Sequence, residues 1–229
     1  MKLALIGKSI THSKSPYLYR KILGEDTVYD LIDVDSDKLP SLESLATKYD
    51  GINITSPYKE KYFNQVTVED KVVRSLGAIN TIDLRYGEFR ATNTDLLAVR
   101  EILKGYQRRF PKLQIVLLGS GAMSRVVSLA SEELSIPILA ISRKSNPDMS
   151  NMDLKPPEGT LGQNLVINAC SRDFFFQGTI DSNTIFWDLN YQFLPHQNTL
   201  PFLVKEYHDG QEMLYLQAKA AVEFWKVSK

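Results

Sequence analysis

The chain has 229 residues, 43% apolar and 24% charged, a composition ordinary for a soluble globular protein and enough for one large domain or two small ones. Lys+Arg and Asp+Glu both number 27, so no basic excess points to nucleic acid or to an anionic membrane surface. The single cysteine, Cys170, excludes an intrachain disulfide and suits a reducing compartment; MKLALIGKSI lacks a signal-peptide pattern, no apolar run nears the roughly 20 residues that span a bilayer, and a cytoplasmic location is expected.

Strand-like and helix-like runs then alternate. Residues 3–6 form an apolar strand ending at Gly7, and 16–23 a short helix with Pro16 in its first turn. A strand at 28–34 and a helix at 39–49 lead to GINITSPYKEKY, where 51–55 reads as a short buried strand stopped before Pro57. A helix around 69–76 and a strand at 78–84 follow. Arg85-Tyr86-Gly87-Glu88 can turn that strand back on 89–92 as a hairpin. A helix runs from Asp95 to about Tyr106. Then come a strand, a glycine turn and a helix in LQIVLLGSGAMSRVVSLA, and a strand at 136–142. Residues 143–163, rich in Ser, Asn, Pro and Gly, read as loop. Strands at 164–169 and 184–189 and helices near 201–207 and 212–227 close the chain. The alternation predicts an α/β protein with mostly parallel sheets, and a break near 93–110 suggests two lobes.

Gly119-Ser120-Gly121-Ala122-Met123-Ser124 has the spacing G-x-G-x-x-S between a strand and a helix. There glycines allow close backbone approach, and the helix N-terminus offers unpaired N–H groups to a pyrophosphate; the competing reading is a plain strand-to-helix turn. The next strand ends at Ser142-Arg143-Lys144, where NAD binders usually carry an acidic residue. Two cations and a hydroxyl suit a 2′-phosphate and favour NADP; a solvated basic loop is the alternative.

Several polar residues fall where packing alone would not put them. Asn53, Thr55 and Lys59 would suit one polar pocket, against the alternative of a strand end with a solvated lysine. Ser9, Ser13 and Ser15 lie in the loop after the first strand, where serines also serve as caps. Asn80 and Thr81 interrupt a strand, and one of Asn93, Thr94 and Asp95 is expected to cap the following helix. Gln217 shares a helix face with Met213, Ala220, Ala221 and Phe224, so a polar partner is expected for its amide. His12, His196 and His208 lack metal-ligand spacing, and no metal is expected.

Together these segments resemble the shikimate dehydrogenase family: HSKSP (12–16), GINITSPYKE (51–60), GAINT (77–81), NTD (93–95), LLGSGAMSR (117–125), INACS (167–171) and GQEMLYLQA (210–218), in the family's order over nearly the whole chain. The resemblance implies an α/β fold of two domains: a substrate domain (1–94 plus 211–229, rejoined by the C-terminal helix) and a Rossmann-like NADP-binding domain (95–210). It implies reversible NADPH-dependent reduction of 3-dehydroshikimate to shikimate, with Lys59 and Asp95 as the catalytic pair. Ser13 and Ser15 would bond the substrate carboxylate. Asn53, Thr55, Asn80, Asp95 and Gln217 would bind its hydroxyls and ring oxygens, with Tyr191 near the carboxylate. Gly119, Ser120, Gly121, Ala122, Ser142, Arg143 and Lys144 would lie along NADP. The chain departs from the family in its short 143–163 region, in Cys170 for the commoner threonine, and in Glu212, where the family usually has a glycine facing the nicotinamide. Two other readings stand beside the dehydrogenase: a shikimate-binding or regulatory homologue with weak or absent activity, and a quinate/shikimate enzyme using NAD.

Overall fold

The structure, a computed structural model, describes residues 1–156 and 162–227. The chain divides into two compact units, Met1–Ala98 with Tyr215–Lys229, and Val99–Leu214.

In the first unit β1 (Lys2–Gly7), α1 (Ser15–Leu23), β2 (Val28–Asp33), α2 (Leu42–Ala46), β3 (Gly51–Ile54), α3 (Lys71–Leu76), β4 (Thr81–Asp83) and β5 (Arg90–Thr92) succeed one another. The sheet order is β2-β1-β3-β4-β5, parallel across β2, β1 and β3 and antiparallel across β3, β4 and β5. The helix α4 (Thr94–Arg109) follows, and α7 (Gln211–Val227) completes this unit's core. Leu3 and Leu5, on one face of β1 by strand alternation, pack with Tyr19 of α1, Tyr29 of β2, and Ala218, Ala221, Val222 and Trp225 of α7. A Cβ on Gly51 would collide with the Trp225 indole, so only glycine lets α7 approach β3 this closely. Trp225 Nε1 donates to the Ile82 carbonyl at 2.9 Å.

Capping explains where two expected helices shrink. The helix expected over 39–49 is a 3-10 turn at Ser36–Lys38 and then the short α2, because Pro40 precedes Ser41, whose hydroxyl caps the Ser44 N–H at 3.2 Å. The helix α3 starts only after Asp70, which accepts from the Val72 and Val73 N–H groups. Asn93 is the cap of α4, accepting from the Leu96 N–H at 3.1 Å.

In the second unit β6 (Leu113–Leu118), α5 (Ala122–Glu133), β7 (Ile138–Ile141), β8 (Gln163–Asn168), β9 (Ile185–Asp188), α6 (Leu194–Gln197) and β10 (Glu206–His208) build a parallel sheet of order β10-β9-β8-β6-β7. This is a Rossmann-like arrangement: the connections leave β6 toward opposite edges, which opens a crevice at the strands' C-terminal ends. The helix expected at 201–207 is instead a 3-10 turn at Leu200–Phe202 followed by β10. Lys205 N–H reaches the Thr184 carbonyl at 2.9 Å, and β10 then pairs with β9. Leu118, Val166, Phe174, Phe176, Phe186 and Leu200 lie in this unit's core. The described residues between β7 and β8 contain no helix; a cavity of about 390 Å³ opens there between Leu139 of β7 and the stretch from Met152 to Pro156. Residues 157–161 of the expected 143–163 loop lie outside the described residues.

Candidate active site

The candidate residues of the first unit gather on the loops at the C-terminal ends of β1 and β3, on β4 and at the start of α4. The loop after β1 is held by Asp33, at the end of β2, whose carboxylate oxygens accept the Ser9 and Ile10 N–H groups at 2.8 and 2.9 Å. This carboxylate clamp stabilises the left-handed backbone of Ser9 (φ 57°) and orders the segment that carries Ser13 and Ser15. Their hydroxyl oxygens lie 3.2 Å apart, and Ser15 is buried.

Past β3 the chain turns sharply, with the Tyr58 N–H returning to the Thr55 carbonyl at 2.9 Å. Tyr58 is fully buried and donates its hydroxyl to the Val34 carbonyl at 2.6 Å; the Ile79 N–H donates to the Lys59 carbonyl at 2.8 Å. These two anchors set the backbone of Lys59, and its side chain turns inward. Lys59 Nζ meets Asp95 Oδ2 at 2.6 Å, with the two side chains only 14% and 11% exposed. A solvated lysine would not hold this geometry, so the exposed-strand-end alternative fails. Asp95 stands in the first turn of α4, where the helix dipole favours a carboxylate.

Around this pair lies a continuous polar network. Asn53 bonds Tyr29, the Asn80 carbonyl and Thr81; Asn80 Oδ1 accepts the Thr94 N–H at 2.7 Å; Thr94 Oγ1 reaches Gln217 Oε1 at 3.4 Å. The amide of Gln217 thus has the polar partner its apolar helix face required. Thr55 adjoins the network through the backbone, its N–H on the Ile6 carbonyl at 2.9 Å, and its methyl fills the space a Cβ on Gly7 would need. Sequence reasoning missed Tyr29, a buried aromatic on an alternating strand, which reads as core.

The second unit carries the candidate cofactor residues. Gly119 has φ 119°, and a Cβ there would stand 3.0 Å from the Ala169 carbonyl oxygen, so the turn after β6 presses on the end of β8. Gly121 is the N-cap of α5 without a side-chain cap bond, and a Cβ there would meet nothing within 4 Å. Gly121 thus leaves room in front of the first turn at Ala122, a fit for a diphosphate at a helix N-terminus. The Gly119 N–H donates to the Ile141 carbonyl at 2.8 Å, which brings the turn beside Ser142. Ser120, Arg143 and Lys144 are exposed, and Arg143 stands 3.9 Å from Asp173, also exposed. Both cations can turn to a phosphate, so this unit's residues fit NADP.

Tyr191 follows β9 in the second unit, its carbonyl accepting from Arg172 at 2.9 Å. Glu212 is exposed in the first turn of α7, beside a polar cavity of about 330 Å³ shared with Tyr207, His208 and Asp209. Burial pushes the Cys170 thiol up to about 11, so it is no ready nucleophile. His196 is fully buried against Asp188, and among the described residues no cluster of His, Cys, Asp and Glu could hold a metal ion. Nor is any described helix long and apolar enough to cross a membrane.

The chain is similar to known proteins over nearly its whole length. The family model described as "Shikimate dehydrogenase substrate binding domain" matches residues 5–82. The shikimate dehydrogenase (NADP(+)) of Prochlorococcus marinus is 30% identical over 267 residues, covering 97% of this chain and 90% of its own. That of Oceanobacillus iheyensis is 26% identical over 263 residues, covering 98% and 92%. Among solved structures, shikimate dehydrogenase from Thermotoga maritima superposes with a TM-score of 0.75 at 20% identity, covering 100% of this chain and 95% of its own.

Proposed function

The chain belongs to the shikimate dehydrogenase family, and on that premise we propose that it catalyses the reversible NADPH-dependent reduction of 3-dehydroshikimate to shikimate. The observation that carries the reading to this chain's own chemistry is the shielded Lys59–Asp95 pair, 2.6 Å apart at the edge of a polar network that suits a polyhydroxylated ring. The cofactor, when bound, would supply the hydride as NADPH and accept it in the reverse direction as NADP+.

The residues of the chain do the rest. Ser13 and Ser15 offer hydroxyl donors to the substrate carboxylate. Asn53, Thr55, Asn80 and Gln217 meet the hydroxyls and the ketone oxygen carried by the ring, and Tyr191 contributes near the carboxylate. Reduction of a ketone builds negative charge on its oxygen. The Lys59 ammonium stabilises that charge and gives up a proton to form the hydroxyl; solvent then restores the ammonium. Asp95 holds Lys59 by its 2.6 Å bond and accepts from an adjacent substrate hydroxyl. Gly119, Ser120, Gly121 and Ala122 would hold the diphosphate of NADP, and Ser142, Arg143 and Lys144 its 2′-phosphate.

The assay is direct. NADP reduction with shikimate should proceed, with quinate and NAD as the slower controls. Absence of turnover, with shikimate still bound in calorimetry, would overturn the dehydrogenase in favour of a binding homologue. Cofactor choice has its own test. The double variant Arg143→Ala/Lys144→Ala should raise the KM for NADP roughly tenfold or more and leave that for NAD almost unchanged, because only the 2′-phosphate loses its cations. Equal effects on the two cofactors would remove the 2′-phosphate role.

A further inference from the structure

The amide of Asn53 can be oriented without any ligand. Its Nδ2 lies 3.2 Å from the Asn80 carbonyl oxygen, an atom that only accepts, so the NH2 group must face it. Oδ1 therefore faces Tyr29, whose hydroxyl donates to it at 2.8 Å. The other Nδ2 hydrogen goes to Thr81 Oγ1 at 3.0 Å. Asn80 Oδ1 in turn lies 3.1 Å from each of the Thr81 and Thr94 hydroxyls and accepts the Thr94 N–H at 2.7 Å. The side-chain oxygen of Asn80 is thus fully occupied, and what its amide can still offer is N–H.

The bonds all run one way. Tyr29 donates to Asn53, Asn53 to Thr81, and the Thr81 hydroxyl with the Thr94 N–H to Asn80. All five residues are buried, so water cannot replace a missing link. Turning the Asn53 amide over would set its oxygen against the Asn80 carbonyl oxygen, two acceptors face to face. Tyr29 is itself fixed: its ring stacks on Tyr19 with centroids 4.4 Å apart, and its hydroxyl adjoins Ser15. Burial holds its phenol well above the usual range, so it keeps the proton it donates.

We propose that Tyr29, at the head of this hydrogen-bond relay, is a positioning residue for substrate recognition: the Asn80 carbonyl turns the Asn53 amide and the Thr94 N–H turns that of Asn80, while the Tyr29 hydroxyl occupies one acceptor position of Asn53 Oδ1 and leaves the other for a ring hydroxyl of a polyhydroxylated carboxylic acid. The proposal rests on the reading of these residues as the shikimate pocket and adds the source of its selectivity.

The test is Tyr29→Phe, assayed with shikimate and with analogues each lacking one ring hydroxyl. The KM for shikimate should rise roughly tenfold with kcat within about threefold, since Lys59 and Asp95 are untouched. Discrimination against at least one deoxy analogue should rise by roughly tenfold, because Asn53 Oδ1, still turned by the Asn80 carbonyl but without its Tyr29 donor, then depends wholly on the substrate hydroxyl. A purely structural tyrosine would lower the melting temperature and leave both quantities unmoved in the folded enzyme; that result overturns the proposal. Thr81→Val cuts the same relay one link further on and decides the matter if Tyr29→Phe does not fold: unchanged KM and unchanged discrimination there overturn it equally. An inactive wild-type enzyme would instead strike at the dehydrogenase reading itself.

Discussion

Lys59→Ala is expected to cut kcat by roughly 10²-fold or more while the Kd for shikimate, measured by calorimetry, stays within about threefold. The split follows from where the lysine stands. The residues proposed to hold the substrate bind through their own hydroxyls and amides, so truncating Lys59 removes little that the ground state uses. The developing alkoxide, in contrast, loses both its proton donor and its nearest positive charge. The fold should survive, because Asp95 keeps the support of the α4 N-terminus and both backbone anchors of residue 59 are independent of its side chain. Lys59→Arg refines the result. Arginine keeps the charge and the ion pair but does not give up its proton in a protein, so it should recover the electrostatic share of the rate and not the proton-transfer share. A near-wild-type kcat in Lys59→Ala would sink the role given to this residue.

What could be read in advance depended on how local the signal was. The strand, glycine turn and helix around Gly119 and Gly121 are contiguous, and their order follows from apolar periodicity and turn chemistry alone. Lys59 and Asp95 are far apart in sequence; the chain's own pattern showed only polar residues in awkward places, and the pairing came from the family resemblance. Their 2.6 Å contact arises because the Ile79 N–H ties the loop after β3 to the segment that leads into β4. Tyr29 was invisible for a deeper reason. An aromatic residue on an alternating strand is core by any pattern rule, and its ring does lie in the core. Only the register that sets β2 and β3 on either side of β1 brings its hydroxyl to Asn53. The strand β10 escaped because three residues after a proline turn carry almost no period, and it exists only through its pairing with β9. The helix expected over 39–49 failed at its ends, where Pro40 and Ser41 overrode propensity.

The site and its scaffold also divide differently between the two units. In the first, polar groups are assembled into a network in which each amide is oriented by its neighbours, the preorganisation that recognition of hydroxyls demands. In the second, the candidate cofactor contacts are backbone N–H groups and exposed cations, which need an open crevice more than a buried network. Buried polar chemistry in the second unit serves instead to hold loops, and it centres on one carboxylate.

That carboxylate is Asp188, and Asp188→Asn is expected to destabilise the second unit by about 3–5 kcal/mol despite its near-identical shape. Asp188 is fully buried at the end of β9. Oδ1 accepts from Asn168 Nδ2 at 3.0 Å and from the Asn190 N–H and Nδ2 at 2.9 and 3.0 Å, while Oδ2 meets His196 Nδ1 at 2.5 Å. The histidine cannot adapt to an amide. Phe176 N–H, which only donates, lies 2.9 Å from Nε2, so Nε2 must stay bare and Nδ1 must carry the proton. An asparagine at 188 therefore either turns its NH2 toward the Nδ1–H, donor against donor, or turns it toward the three donors from Asn168 and Asn190. Either choice leaves buried N–H groups unpaired, each costing about 1–3 kcal/mol. Asn190 also donates to the Cys170 carbonyl at 3.1 Å, so the substitution loosens the turns after β8 and β9 together. Urea titration followed by tryptophan fluorescence reports the loss, because Trp187 precedes the substituted residue in β9 and is itself buried. An unfolding midpoint unchanged from wild type would show that the histidine–aspartate pair is dispensable and that the turns are held by packing alone.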